Sequence, residues 1–206
     1  MITRTEIINV LFNKFDFQSY LEIGVQVPAN NFDKIIAIYK ESVDPTPRGD
    51  CTYIMTSDEF FKNHVKNKYD VIFIDGLHTA EQAYKDVYNA INYLNEDGFI
   101  IMHDCNPITE YHTRSYEEFI KTGGPWNGTV FNGFIRLKNE LINWSCFVVN
   151  EDHGCGIITQ KQILKNKQFD YNTYNFLWKE FDINRNELLQ LIDFNEYINI
   201  LNNYGK

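Results

Sequence analysis

The chain has 206 residues, with 19 Lys and Arg against 28 Asp and Glu and a formal net charge of −9. That length holds one domain with a full core, and the acidic balance argues against nucleic acid or an anionic membrane as the main partner. No apolar run approaches the ~20 residues that a membrane span needs, and Met1–Phe12 is charged and helical in pattern, without a signal peptide's apolar core.

Thr3–Lys14 reads as an N-terminal helix capped by Thr3 or Thr5, with Glu6 placed to close a capping box on Thr3. Ser19–Val25 is a strand that runs into a turn at Gly24. Asn30–Tyr39 is a short helix or turn. Glu41–Val43 is a strand with Asp44-Pro45 at its end, and Cys51–Met55 is a further strand ending on Thr56-Ser57-Asp58. Ser57–Lys66 is a helix capped by Ser57 or Asp58. An acid at a strand end some 20 residues after the first strand's Gly turn is placed to accept hydrogen bonds from ribose hydroxyls. Residues 18–68 are therefore a nucleoside-binding half.

Tyr69–Asp75 and Glu96–Met102 are short apolar runs without alternation, the pattern of strands covered on both faces. Between them Thr79–Leu94 carries apolar residues at 83, 87, 90, 91 and 94, a helical stripe. Strand, helix, strand makes a right-handed crossover between parallel strands. It brings Asp75-Gly-Leu-His78 and His103-Asp104-Cys-Asn106 to neighbouring carboxyl ends, the edge where open α/β sheets bind ligands. Asp75 competes with Thr79 as the helix cap. Residues 69–160 are the chemical half.

Glu110–Thr122 is read as a helix ending at Gly123-Gly124-Pro125, and Asn127–Asn139 as containing another. Trp144–Asn150 and Gly154–Thr159 form an antiparallel hairpin around Glu151–Gly154. The tail, 161–206, is helical from Thr173, in two pieces ending near Phe181 and Leu201. Its aromatics Tyr171, Tyr174, Phe176, Trp178 and Phe181 are expected to cover the sheet, with a homo-oligomer contact as the alternative. Cysteines 51, 105, 146 and 155 lack CxxC spacing, which points to a reducing cytoplasm and not to a disulfide frame or zinc site. With no linker or repeat, residues 1–206 form a single domain.

Six blocks carry a family resemblance: Tyr20-Leu-Glu22-Ile-Gly24-Val, Val43-Asp44-Pro, Thr56-Ser-Asp58-Glu-Phe-Phe, Phe73-Ile-Asp75-Gly-Leu-His78, Met102-His-Asp104-Cys-Asn-Pro and Trp126-Asn-Gly128-Thr-Val-Phe. In this order, over residues 18–160, they resemble the class I S-adenosylmethionine-dependent methyltransferases, nearest the metal-assisted sugar and macrolide-sugar O-methyltransferases. The resemblance implies a Rossmann-like α/β fold: a seven-stranded, mostly parallel sheet with helices on both faces and an antiparallel C-terminal hairpin. It implies S-adenosyl-L-methionine as cofactor, with Glu22 and Gly24 at its methionine end, Asp44 on the ribose, Ser57 and Asp58 beside the adenine, and Asp75 bordering the reactive end. Asp75 and Asp104 match the ligands of a divalent metal, Mg or Mn, and His78 matches the general base beside Asp75. The implied substrate is a small sugar or glycan precursor.

Two departures from that pattern stand out. The glycine loop is reduced to Gly24, and a missing second glycine restricts backbone approach to the cofactor. His103 stands where the metal group carries an acid, which leaves Asn106 to supply an oxygen by side chain or through water. His103 itself is read as a neighbour of the site and not a ligand. His112 is a loop residue within reach of the acceptor. Trp126, on a Gly-flanked loop, is either a core aromatic or a lid residue that stacks on a sugar face. Two other functions remain in play: a non-catalytic cofactor-binding or assembly protein on the same fold, and a nicotinamide-dependent oxidoreductase, which the absence of GxGxxG disfavours.

Overall fold

The computed structural model describes residues 2–169 and 175–204. Its strands are β1 (Ser19–Ile23), β2 (Tyr39–Val43), β3 (Tyr69–Ile74), β4 (Leu94–Met102), β5 (Ser145–Val149), β6 (Cys155–Thr159) and β7 (Leu191–Ile192). They form one sheet in the order β2-β1-β3-β4-β6-β5-β7. β2, β1, β3 and β4 run parallel, and β6 is antiparallel to both β4 and β5.

The helices are α1 (Arg4–Phe15), α2 (Ser57–Asn63), α3 (Ala80–Ala90), α4 (Tyr116–Thr122), α5 (Val130–Glu140), α6 (Trp178–Leu189) and α7 (Phe194–Asn203). Side chains alternate across each strand, so the sheet feeds two cores. Leu21, Ile72, Ile74 and Ile100 face α2, α3, α5 and α6. Tyr20, Val71, Phe73 and Ile101 face α1 and α7. Both faces are covered, which is why the strands read as unbroken apolar runs.

Local signals hold where side chains supply them. Thr3 and Glu6 form the capping box of α1. Thr79 caps α3 by accepting from the Gln82 amide. Four expectations are corrected. Helix α2 is capped by Thr56, whose hydroxyl accepts from the Glu59 amide, and it ends at Asn63. The span 110–122 is a 3-10 turn at Glu110–Thr113 and then α4, because extended Arg114 and the Ser115–Glu118 capping box restart the helix.

Cys51–Met55 is no strand. It contributes a single bridge, Val43 to Tyr53. Ser42 and Thr52 exchange side-chain-to-backbone bonds in both directions at 3.0 and 3.1 Å, which takes the place of a regular ladder. The seventh strand comes from the tail, where left-handed Gln190 stops α6 and Leu191–Ile192 pair with Val148–Val149. Phe176 and Phe181 are buried against α5, Phe176 bonded to Asn132 and Phe181 4.3 Å from the Phe131 ring, whereas Tyr171 and Tyr174 lie outside the described residues. All four cysteines are free thiols. Among the described residues no helix is long and apolar enough to cross a membrane.

Candidate active site

The chain crosses from β2 back past β1 to β3, so the connections of β1 and β3 leave in opposite directions and open a crevice at their carboxyl ends. A cavity of about 690 Å³ fills it, within the range of small-molecule sites. Glu22, Gly24, Asp44, Ser57, Asp58, Asp75, His78 and Asp104 all line it. Residues separated by up to 82 positions in the chain meet there because four parallel strands end on one edge.

On the nucleoside side, Asp44 is almost fully buried and both its oxygens accept backbone amides, Gln26 at 2.8 Å and Thr46 at 2.7 Å. It therefore shapes the loop after β1 as well as facing the cavity. Gly24 sits at φ +87°, with its amide donating to the Val43 carbonyl. Two residues on, where a second glycine would serve, Gln26 adopts φ 42°. A left-handed non-glycine residue costs roughly 1–2 kcal/mol. The Asp44 carboxylate and the Arg48 amide, bonded to the Gln26 amide and carbonyl, hold it there. Gln26→Gly is therefore expected to raise stability by about 0.5 kcal/mol and Gln26→Val to lower it by about 1 kcal/mol in urea titrations. A less stable glycine variant would show that the Gln26 side chain, not its backbone, shapes the loop.

Ser57 and Asp58 form the far rim. Gln82 donates to both at 3.2 Å, and Lys85 pairs with Asp58 at 2.6 Å. At the floor, Glu22 is 2 % exposed. Its Oε2 accepts from the Tyr20 hydroxyl at 2.6 Å and from Asn31 at 2.9 Å. Burial pushes its carboxyl up to about 8, against the pull of those two hydrogen bonds.

At the other end two imidazoles sit against two carboxylates. His78 Nδ1 lies 3.0 Å from Asp104 Oδ2 and 2.9 Å from the Trp126 carbonyl, and Nε2 lies 3.3 Å from Asp75 Oδ1. Two acceptors at Nδ1 hold a proton there and leave Nε2 as the nitrogen that accepts one. His103 Nδ1 lies 3.1 Å from Asp75 Oδ1 and 3.5 Å from Asp104 Oδ1. Its Nε2 is 3.2 Å from Arg4 Nη1 and 3.6 Å from Asp152 Oδ1. Burial opposes every one of these charges, yet the pairs outweigh it. Asp104 and Asp75 raise His78 to about 10, and Asp75 and Asp104 raise His103. Both aspartates stay well below the usual carboxylate range, held there first by His103.

Asp75, His78 and Asp104 each offer one ligand atom, all within 4.8 Å of one another. The two carboxylate oxygens could hold a divalent ion with the imidazole beside it; a His78 nitrogen that joined them, a mixture that suits manganese better than oxygen-seeking magnesium, would no longer be free to accept a proton.

The expected roles of three residues change. Asn106 does not reach the carboxylates: its Oδ1 accepts from Arg185 at 2.8 Å, its Nδ2 donates to Asn150, and it lines a separate hollow. The oxygen assigned to a metal is therefore spent on a cation. Trp126 is half-buried in an aromatic cluster. It stacks on Phe119 at 4.5 Å and on His78 at 5.2 Å, and its indole donates to the Arg114 carbonyl. His112 lies outside the cavity, with Nδ1 2.8 Å from the Thr109 hydroxyl.

Sequence reasoning missed Arg4, Gln82 and Tyr116 in the lining, and Asn127, which donates to Asp104 at 2.8 Å. Only Asn127 carried a signal, its place in the Trp126-Asn-Gly128 block. The other three stand on helices whose sequence marks a cap or a stripe but not what the exposed side reaches.

Residues 22–105 match a family described as a methyltransferase domain. No curated protein matches the chain in sequence. Among solved structures, a methyltransferase of Podospora anserina bound to SAH is 14% identical, over 79% of this chain and 80% of that one, with a TM-score of 0.55. An O-methyltransferase of Bacillus cereus in complex with SAH is 13% identical over 77% and 80%, with a TM-score of 0.51. At this identity the likeness is one of fold.

Proposed function

We propose that this chain, a class I S-adenosylmethionine-dependent methyltransferase by domain and fold, moves the cofactor's methyl group to a hydroxyl of a sugar or glycan precursor. The observation that carries the reading is the placing of His78, Asp75 and Asp104 in the same cavity as Gly24 and Asp44. The sugar class rests on the six-block resemblance.

The bound sulfonium supplies an electrophilic methyl carbon. What the chain must do is orient an acceptor oxygen and take its proton. Asp44 is positioned to take the ribose, Ser57 and Asp58 to border the adenine, and Glu22 and Gly24 to receive the methionine end. Glu22 Oε1 has no hydrogen bond among the described residues, so a buried carboxylate oxygen is left for the cofactor's ammonium. His78 Nε2 is the proton acceptor, with Asp104 and the Trp126 carbonyl fixing the ring. Asp75 orients the same nitrogen. Asp75 and Asp104 would also hold a divalent ion, which lowers the acidity barrier of a hydroxyl when bound.

Two measurements test this reading. Calorimetric titration should show binding of S-adenosylmethionine and none of NAD. Asp44→Ala should weaken the former about ten- to hundredfold, since charge-assisted hydrogen bonds are worth about 1.5–3 kcal/mol. Unchanged affinity in the folded variant removes Asp44 from the ribose. Separately, excess chelator should abolish methyl transfer to a sugar acceptor while leaving cofactor binding intact, and manganese should restore it. Full activity in chelator would remove the ion and leave Asp75 and Asp104 as supports of His78.

A further inference from the structure

We infer that Arg4, on the first turn of α1, binds the α-carboxylate of the cofactor's methionine moiety, a ligand role that rests on the methyltransferase reading above. Five carboxylates line the cavity: Glu22, Asp44, Asp58, Asp75 and Asp104. Arg4 is the sole Lys or Arg among the lining residues. A cavity with that charge suits a sulfonium and an ammonium. Of the cations it offers a carboxylate, His78 and His103 are already engaged with Asp75 and Asp104, which leaves Arg4.

The placing is specific. Nucleoside-facing groups stand at the ends of β2 and α2. Glu22 stands on β1, and Arg4 reaches over from α1 on the same face of the sheet, to which Tyr20 and Glu22 point. The guanidinium carries its strongest attractions toward Asp75 and Asp152, with Glu22 also close enough to act on it. An α-amino acid carries its ammonium and carboxylate on one carbon. A buried acid and an arginine on adjacent walls of one cavity match that pair.

The Arg4 side chain is held but not used up. Its amide donates to Asp152 Oδ2 at 2.8 Å, and Nη1 lies 3.6 Å from the same oxygen and 3.2 Å from His103 Nε2. Among the described residues Nη2 and Nε make no hydrogen bond. That leaves two parallel N–H groups, the fork that takes a carboxylate through two bonds. Asn30 and Asn31 close the same end of the cavity, and Asn31 is already bonded to Glu22 and to the Tyr20 hydroxyl. The helix that packs against the sheet thus also supplies the counter-charge to the cofactor tail.

The test uses the whole chain and two probes, S-adenosylhomocysteine and its decarboxylated analogue, titrated by calorimetry. The wild-type protein should prefer the first by about ten- to hundredfold, the value of a charge-assisted pair. Arg4→Ala should lose that preference by weakening S-adenosylhomocysteine alone, and Arg4→Lys should keep part of it. Equal weakening of both probes would assign Arg4 to holding Asp152 and His103, and overturn the proposal. So would equal affinity of the wild-type protein for the two, a result that stands even if the alanine variant fails to fold. Wild-type protein that binds neither probe would overturn the methyltransferase reading itself, and this assignment with it.

Discussion

Replacing His78 with alanine is expected to lower turnover by roughly a hundredfold or more while leaving cofactor affinity nearly unchanged. The geometry gives the reason. Asp104 and the Trp126 carbonyl occupy Nδ1, so Nε2 is the nitrogen directed to accept a proton. The two aspartates stabilise the imidazolium and raise its pKa from the ordinary 6.5 to about 10. The neutral ring is the working form of a base. Wild-type activity should therefore rise with pH through an ionisation on the alkaline side of 6.5. A bound sulfonium or metal ion repels the imidazolium and draws that midpoint back toward neutrality. The alanine variant should lose the rise altogether. His78→Gln should not restore it, because an amide accepts no proton at these pH values. A variant with near-normal turnover and an unchanged pH profile would assign the base elsewhere.

Gly24→Ala should damage both the fold and the site. A Cβ at that position would stand 2.1 Å from the Asp75 carbonyl oxygen, 2.4 Å from its carbon and 2.7 Å from Gly76 Cα. All three are backbone atoms and have no rotamer to escape into. The ends of β1 and β3 would have to part, which moves Asp75 and the floor of the cavity together. Left-handed backbone and forced repacking together cost roughly 2–5 kcal/mol. Chemical denaturation should show that loss, and cofactor affinity in the surviving folded protein should fall more than hundredfold. Gly123→Ala is the control. Its φ of +62° and ψ of −160° also suit glycine alone, but nothing lies within 4 Å of the new methyl group, so only the backbone cost of roughly 1–3 kcal/mol applies. Equal effects of the two changes would mean that the contact with Asp75 is not what matters.

The parts of the fold that were legible in the sequence share one property: their signals are local or periodic. The capping box at Thr3 and Glu6 is complete within four residues. The stripe at 83, 87 and 90 needs only the helical repeat to predict that one side is buried, as it is. Apolar runs at 71–74 and 99–102 needed only the rule that unalternated strands are covered twice. From these the crossover followed, and with it the meeting of Asp75, His78 and Asp104 at one sheet edge.

Tertiary context decided the rest, for reasons no local pattern contains. Cys51–Met55 has strand-like composition, yet side-chain bonds between Ser42 and Thr52 reduce its pairing to one bridge. Leu191–Ile192 became a strand because β5 offered an open edge. Asn106 looked like an oxygen donor until Arg185, 79 residues away in the chain, claimed that oxygen. Trp126 looked like a sugar platform until Phe119 and His78 stacked on its ring. Arg4 was one more charge on a helix until the packing of α1 carried it to the cavity. The sequence determined which chemical groups the strand ends would present together. Which of their lone pairs, protons and faces remain available for chemistry is set by neighbours distant in the chain, because a buried polar atom meets its partner only when the elements pack.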